Sequence, residues 1–304
     1  MGINQYIREI GRGKDGARSL TRMQAADLFG QVLDGAVTDL EIGAFCLAMR
    51  IKGETPQEMA GFLDATYARI LPVPLAGDCE TVVLPSYNGA RKLPVLTPLL
   101  ALLLARHGLA VLVHGVATES TRVFSSRVFE VLGVTAAEAV SHLTGGSVMF
   151  VPTGVLCPGL KRLLDVRRAV GLRNPAHSLV KLMNPCSGPA VVVGSYTHPE
   201  YAVSMAAVFA LMGSDAMLLR GTEGEPVADA RRTPRMDGFV GGQPMMLQEA
   251  QPGTLESVPD LPTGTDAALT ARYINDVLDG RRPVPGPIGS QVEQLLRLCK
   301  HART

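Results

Sequence analysis

The sequence predicts an α/β protein in two parts: a small all-helical domain at the N-terminus and a larger α/β domain with a mainly parallel central sheet. Two patterns predict this class. The first third of the chain carries three helix-start signals, and the remainder alternates between short apolar runs and segments with helical periodicity. With 304 residues, of which 46% are hydrophobic, the chain can bury the core of one or two domains.

Each helix of the N-terminal third is predicted from a threonine at its start. Thr38 and Thr55 are each followed three residues later by a glutamate, which is the spacing of a capping box. Pro56 stands at the first helical position of the third helix, where proline is favoured. Thr21 can cap the first of the three helices. The helices are predicted over about 21–33, 38–53 and 55–70.

The remainder of the chain alternates between strands and helices. Strands are predicted over 81–84, 109–113, 148–151, 190–194 and 216–220. Helices are predicted over 93–106, 123–132, 158–170, 176–183, 198–212, 266–278 and 287–299. Residues 222–264 are rich in Gly, Pro and charge, and we expect loops and irregular strands there. This order is typical of a parallel sheet with helices on both faces.

Composition and charge exclude several classes of protein. The net charge of +1 favours neither nucleic acid nor membranes, so any basic surface must be local. The longest apolar run, 93–105, contains two prolines and is too short to span a bilayer, and residues 1–16 do not form a secretory signal. Five scattered cysteines without a C-x-x-C pair argue against disulfides and zinc, and predict a reducing, cytoplasmic location.

The apolar run 109–115 ends in a Gly-containing turn that leads into a helix. Such a turn lies at the carboxyl edge of a parallel sheet, where α/β proteins bind anions, and backbone N–H groups at the helix start favour phosphate. An ordinary strand–turn–helix with a capped helix is the alternative. The candidate phosphate-binding residues are His114, Gly115, Ser120, Thr121 and Arg122.

A basic segment lies between residues 160 and 182. It contains six cationic residues against one acid, which gives a local charge of +5 in a chain whose total is +1. The cations are Lys161, Arg162, Arg167, Arg168, Arg173 and Lys181. Two smaller groups expected in loops are Arg231, Arg232 and Arg235, and Arg91 and Lys92.

These cationic groups are candidate contacts for the phosphates of nucleic acid, whose binding is then independent of sequence and sensitive to salt. A solvated helix face is the alternative interpretation. The chain has no Trp and only 5% aromatic residues, which is unfavourable for base stacking. No G-x-S-x-G or H-E-x-x-H motif occurs, and we assign no catalytic residue.

Two short motifs carry a resemblance to a known family. Residues 171–174 have the sequence Gly-Leu-Arg-Asn, and residues 184–185 are Asn-Pro. With the order of elements, they resemble the anthranilate phosphoribosyltransferase family, also called glycosyltransferase family 3, over nearly the whole chain. The resemblance implies phosphoribosyl pyrophosphate and magnesium between two domains, and a homodimer formed through the N-terminal helices. It predicts a helical domain of 1–73 with 158–183 added from mid-chain, and an α/β domain of 74–157 and 184–304.

Most of the pyrophosphate-binding motifs that the resemblance implies are altered. Residues 85–89 are Pro-Ser-Tyr-Asn-Gly where the family has Gly-Thr-Gly-Gly-Asp. Residues 113–117 are Val-His-Gly-Val-Ala where the family has Lys-His-Gly-Asn-Arg. The family's Ser-Ser pair survives in kind as Ser120 and Thr121, and Arg122 stands at a family lysine. The positive and amide groups for a pyrophosphate are therefore largely lost.

The magnesium-binding Asp-Glu pair of the family falls on residues 224–225 or 225–226. At most one acid of the pair remains, so Glu225 and the nearby Glu223 are only weak metal candidates. The resemblance therefore implies a magnesium site that this sequence does not complete.

Residues 113–116 and 173–181 resemble a divergent branch of the family, whose members keep the fold, lack transferase activity and bind nucleic acid, single-stranded DNA included. We therefore predict a sequence-independent binder of single-stranded nucleic acid that needs no cofactor. One alternative is a phosphoribosyltransferase that uses Mg²⁺ and phosphoribosyl pyrophosphate to modify an aromatic or nitrogenous acceptor. Another is a binder of a phosphorylated metabolite.

Overall fold

Three capping boxes start helices of the N-terminal bundle. At Thr21, Thr38 and Thr55 the hydroxyl accepts the backbone N–H three residues on, and the side chain at that position accepts the threonine N–H. These three predicted helix starts are confirmed. The structure, a computed structural model, describes residues 2–13, 15–257 and 260–302. Its first helices are α1 (Asn4–Ile10), α2 (Arg22–Asp34), α3 (Asp39–Lys52) and α4 (Pro56–Tyr67).

Helix α1 is not predicted by the sequence, because its seven residues follow Ile3 without a side-chain cap. It is held by a long-range contact: the Ile3 N–H donates to Glu41 of α3 at 3.1 Å. Inside the bundle, Phe29 of α2 stacks on Phe62 of α4 with ring centroids 4.6 Å apart. Such burial of aromatic side chains stabilises the short helices, which would be marginal alone.

A twisted sheet forms the centre of the larger part of the chain. In the described residues it has seven strands in the order β3-β2-β1-β4-β5-β6-β7. The first five are parallel to one another, and β6 pairs antiparallel with both β5 and β7. The strands are β1 (Thr81–Ser86), β2 (Ala110–Gly115), β3 (Val148–Pro152), β4 (Val191–Tyr196), β5 (Ala216–Arg220), β6 (Met236–Val240) and β7 (Gln243–Gln248). The predicted fold class, helical domain plus mainly parallel sheet, is confirmed.

The helices that cover the sheet follow most of the predicted spans. They are α5 (Thr97–Arg106), α6 (Ser125–Val131), α7 (Thr153–Leu156), α8 (Pro158–Val170), α9 (Ala176–Leu179), α10 (Pro199–Met212), α11 (Ala267–Leu278) and α12 (Gly286–Ala302). Helix α5 begins four residues later than predicted, with Pro98 in its first turn. The predicted helix 176–183 ends at Leu179 and continues as a turn.

Apolar side chains cover both faces of the sheet. Val83 and Leu112 belong to the core shared with the helical bundle, whereas Val82 and Val111 pack under α5, α11 and α12. This alternation is the period-two pattern of a strand that is buried on both sides. No helix in the described ranges is long and apolar enough to cross a membrane.

Helix α8 packs closely against α2 of the bundle. At Gly159 a Cβ atom would lie 2.1 Å from the Leu33 carbonyl oxygen, so only glycine allows this approach. The loops at the carboxyl ends of β1 and β4 lie beside a groove between α4, α10 and residues 173–182, and the loops at this edge of the sheet form the candidate site.

Candidate nucleic-acid interface

The carboxylate of Glu225 fills the loop that follows β1. The residue is 2% exposed. Its Oε1 accepts the backbone N–H groups of Asn88 and Gly89, both at 2.8 Å. Its Oε2 accepts three hydroxyl groups, those of Ser86, Thr97 and Ser125, at 2.5, 3.0 and 3.4 Å. Both oxygens of this carboxylate are therefore saturated with protein donors.

Glu223 binds the next turn of the same loop. Its carboxylate accepts the backbone N–H groups of Arg91 at 2.7 Å, Lys92 at 3.2 Å and Leu93 at 3.4 Å. Glu223 has φ +52°, and no other non-glycine residue in the described ranges has a positive φ. Such backbone strain persists only where surrounding contacts impose it. The donors of residues 91–93 supply those contacts.

Lys181 holds the segment 223–225, which carries Glu223 and Glu225, by hydrogen bonds. Its Nζ donates to the Gly224 carbonyl at 2.8 Å and to the Ser195 carbonyl at 3.3 Å. Burial lowers the pKa of Lys181 to about 8; the nearby Glu225 opposes that shift, and Arg173 adds to it. The lysine is therefore committed to internal carbonyl groups.

These contacts leave no place for a magnesium ion at Glu223 and Glu225. Their carboxylate oxygens are engaged by N–H and O–H donors, whereas Mg²⁺ requires free oxygen ligands in near-octahedral geometry. Within the described ranges, no group of three or more His, Cys, Asp or Glu residues is arranged to hold a metal ion. The residues present do not fit the metal that the resemblance implies.

The structure does not gather the expected phosphate site after β2. Helix α6 begins at Ser125, with Phe124 before it and no side-chain cap, so Ser120 and Thr121 lie in an exposed turn rather than at a helix start. Gly115 is buried in β2, where a Cβ atom would lie 2.1 Å from the Ser86 carbonyl oxygen. The close packing of β2 against β1 therefore explains why residue 115 is a glycine.

His114 is completely buried under the same loop. Its Nδ1 lies 2.7 Å from the Tyr87 hydroxyl, which is 2.8 Å from the Thr153 hydroxyl. Burial lowers the pKa of His114 to about 3. This imidazole is thus a neutral core group with no surface for a ligand.

Arg122 joins a cluster that the sequence does not reveal. Glu119, in the turn after β2, has its Oε1 2.7 Å from Arg167 Nη1, 3.4 Å from Arg122 Nε and 3.7 Å from Arg173 Nη2. The four side chains are 15% to 38% exposed. Burial opposes ionisation of Glu119, but the three guanidiniums outweigh it and lower its pKa. Burial and the other two arginines lower the pKa of Arg173.

We name Arg122, Arg167, Arg168 and Arg173 the arginine surface. Arg168 lies beside the cluster, is exposed, and donates to the Ala117 carbonyl at 3.3 Å. Arg167 and Arg168 also occupy the last turn of α8, where cations interact favourably with the helix dipole. Arg167 and Arg168 can therefore stabilise the end of α8, and the same two residues are also candidates for binding a ligand.

Other cations of the basic segment point elsewhere. Arg162 donates to the Leu33 carbonyl at 2.9 Å and so closes the end of α2, and Lys161 pairs with Asp165. With Lys181 turned inward, the six cations of residues 160–182 do not share one face.

The two loop groups of cations differ from each other. Arg231 pairs with Asp229 at 2.8 Å and Arg235 with Asp237 at 2.9 Å, which cancels most of that group's charge, while Arg232 is exposed. Arg91 and Lys92 are also exposed, and their backbone N–H groups bind Glu223.

A cavity of about 450 Å³ lies between the bundle and the sheet edge. Polar and aromatic residues from both parts of the chain line it, among them Arg50, Asn88, Arg173, His177 and Tyr201. His177 is nearly buried, and its Nε2 has no hydrogen-bond partner among the described residues. Burial, with repulsion from Arg173 and Arg167, lowers its pKa to about 4.

The two buried histidines predict acid sensitivity. The unfolded chain takes up protons near pH 6.5, whereas folded His177 and His114 do so only near pH 4 and 3. The free energy of unfolding should therefore fall as pH drops below 6.5, by about 3 kcal/mol per histidine at pH 4. Urea unfolding at several pH values measures this fall. His114→Asn should roughly halve it, whereas His142→Asn, at an exposed position, should leave it unchanged. An identical pH slope in His114→Asn would contradict the assignment.

Comparison with known proteins places the chain in a family. Residues 4–69 match the family model described as "Glycosyl transferase family, helical bundle domain". Over its whole length the chain is 40% identical to the protein named "Uncharacterized protein YbiB" of Escherichia coli (strain K12), of which it covers 96%. It is 29% identical to the anthranilate phosphoribosyltransferase of Nocardioides sp. (strain ATCC BAA-499 / JS614), over 86% of the chain and 78% of that enzyme. The chain belongs to the anthranilate phosphoribosyltransferase-like glycosyltransferase family 3.

Solved structures of family 3 share the fold. The anthranilate phosphoribosyltransferase of Thermus thermophilus superposes with a TM-score of 0.74 at 21% identity, covering 99% of this chain and 88% of that one. The enzyme of Saccharomyces cerevisiae in complex with PRPP and Mg gives a TM-score of 0.67 at 14% identity, over 99% and 96% of the two chains. At these identities the likeness concerns the fold alone.

Proposed function

We propose that this family 3 protein binds single-stranded nucleic acid, single-stranded DNA in particular, without sequence preference. The observation that carries the proposal is the arginine surface, where three guanidiniums share one carboxylate at the edge of the groove. A surplus of cations in such a place attracts polyanions, and phosphate contacts of this kind are independent of base sequence.

The carboxylate-filled loop supports the same proposal from the other side. In the resembled enzymes the corresponding loop is glycine-rich, which lets the backbone approach a pyrophosphate. Here Glu225 and Glu223 take the N–H donors of residues 88–93. Phosphoribosyl pyrophosphate would have to displace two internal carboxylates, one of them fully buried, before it could use these donors.

Base contacts would be few. Tyr87 is buried against His114 and is unavailable for stacking, whereas Tyr201 is exposed and lines the cavity. Half-buried Tyr196 lines the same cavity. Two tyrosines beside a phosphate-binding surface predict modest affinity that depends strongly on salt.

Fluorescence anisotropy of labelled oligonucleotides tests the proposal. If three or four phosphates contact the protein, affinity for a single strand should fall about 20- to 50-fold between 50 and 200 mM salt, since the slope is roughly −0.7 per phosphate. Strands of different sequence should bind alike, and an RNA strand of equal length shows whether the sugar is recognised. Absence of binding at 50 mM salt would overturn the proposal.

We also propose a homodimer formed through α3. Leu40, Ala44, Leu47 and Ile51 follow one another at spacings of four, three and four, and all four are exposed, Leu40 to 86%. Such a stripe is typical of a helix–helix seam, and a second copy of α3 would cover it symmetrically. In a dimer each copy contributes its own arginine surface.

Leu47→Glu with Ile51→Glu should convert the dimer to a monomer, because two buried charges would face their copies across the seam. Light scattering after size-exclusion chromatography measures the mass. Leu269→Glu, at an exposed position on α11, serves as the control and should remain dimeric. A monomeric unaltered protein would contradict the dimer.

We propose a cytoplasmic location, because none of the five cysteines, all in the described part of the chain, forms a disulfide bond, and a reducing compartment suits such a protein.

A further inference from the structure

The Glu119 carboxylate does not satisfy the guanidiniums around it. Arg167 Nη1 lies only 2.7 Å away, yet neither this atom nor Arg122 Nε makes an aligned hydrogen bond within the described residues, and both are shielded from solvent. A shielded N–H donor that is poorly aligned with its acceptor loses part of the energy of a hydrogen bond. The three arginines and one glutamate carry a net charge of +2.

An anion of the right shape would correct both deficits. Phosphate offers more acceptor oxygens than a carboxylate and accepts paired N–H bonds from several guanidiniums at once. The cluster is partly open, with Arg173 38% exposed, so a small anion can reach it. Glu119 itself lies in an irregular turn and is not held by helix or strand hydrogen bonds.

We propose that Glu119 is an internal counter-ion that a phosphate group displaces, so that Arg122, Arg167 and Arg173 form a phosphate subsite. The assignment of that phosphate to a nucleic-acid strand rests on the proposed function, whereas the subsite itself requires only phosphate. An internal phosphodiester exchanges one negative charge for another. A terminal phosphate, with nearly two charges, neutralises more of the cluster and should bind more tightly.

Removal of the internal charge tests the subsite. Glu119→Gln should melt at a lower temperature than the unaltered protein in phosphate-free buffer, because three guanidiniums then repel one another. Inorganic phosphate at about 10 mM should restore the melting temperature of the variant more than chloride of equal ionic strength does, since ligand binding to the folded state stabilises it. Glu130→Gln, which removes the exposed partner of Arg127 on α6, is the matched control.

Oligonucleotide binding provides the second readout. Glu119→Gln should raise affinity about 3- to 10-fold, because no internal carboxylate competes with the strand, and a 5′-phosphorylated strand should gain more than a 5′-hydroxyl strand. Equal gains for the two strands would assign the subsite to an internal phosphodiester. If Glu119→Gln does not fold, Arg173→Gln should abolish the broadening of the ³¹P signal of inorganic phosphate that the unaltered protein causes.

The two proposals fail in different ways. A phosphate response that is stronger in Glu119→Gln than in the unaltered protein and Glu130→Gln, without binding of any oligonucleotide, would support the subsite and overturn the proposed function. Oligonucleotide binding that is equal in Glu119→Gln, Glu130→Gln and the unaltered protein, with no phosphate-specific stabilisation, would overturn the subsite alone.

Discussion

Glu225→Ala is expected to lower the free energy of unfolding by about 3–5 kcal/mol. Two backbone N–H groups and three hydroxyl groups converge on this carboxylate, and the residue is 2% exposed. The truncation removes the acceptor for all of them and leaves a polar cavity at the sheet edge. Because the donors come from β1, α5 and α6, the loss should loosen the whole loop that follows β1.

Urea unfolding followed by circular dichroism measures this loss. Glu225→Gln should cost less, since its amide oxygen can still accept the two N–H groups while the hydroxyls turn to meet the amide nitrogen. Glu249→Ala, at an exposed position, should change stability by no more than about 0.5 kcal/mol. If Glu225→Ala were as stable as the unaltered protein, the carboxylate would not be what holds the loop.

Reversal of charge at Arg167 and Arg168 is expected to weaken oligonucleotide binding at least about tenfold, for every sequence alike. The double change to glutamate removes two cations of the arginine surface and places new carboxylates beside Glu119 and Asp165. The plot of log affinity against log salt concentration should become less steep by the contribution of about one to two phosphate contacts, because fewer counterions are released.

Arg127→Glu is the matched control for this reversal. Arg127 is exposed on α6 and pairs with Glu130, whereas the arginines of the Glu119 cluster are Arg122, Arg167 and Arg173. The control should bind as the unaltered protein does at the same salt concentration. Unchanged affinity in the double variant would show that the strand lies elsewhere on the molecule.

Local rules predicted most of the fold. The threonine caps at 21, 38 and 55 are decided by residues three positions apart, and the structure reproduces them. The five parallel strands follow from short apolar runs. The sequence predicts β6 and β7 only as irregular strands, because residues 222–264 are rich in Gly, Pro and charge. Helix α6 starts late because the turn before it packs against the loop after β1, a tertiary contact with no local signal.

The candidate site was less predictable, because its contacts join distant positions. Glu225 binds residues 136 and 137 positions earlier in the chain. Glu119 meets Arg122 nearby, but Arg167 and Arg173 come from another helix and loop. Of these three ion pairs, sequence spacing could suggest only the pair of Glu119 and Arg122, which are three residues apart. The same limit explains why Arg162 and Lys181, counted with the basic segment, hold backbone carbonyls instead.

We propose that a groove related to a phosphoribosyl pyrophosphate site binds a longer polyanion in this protein. Competition tests this proposal most directly: a fluorescent single-stranded oligonucleotide bound at 50 mM salt is titrated with phosphoribosyl pyrophosphate and Mg²⁺. We expect the strand to bind strongly. Phosphoribosyl pyrophosphate with Mg²⁺ should displace no more of it than sodium chloride of equal ionic strength does. Tight binding of phosphoribosyl pyrophosphate with Mg²⁺, together with loss or absence of the oligonucleotide signal, would contradict the account.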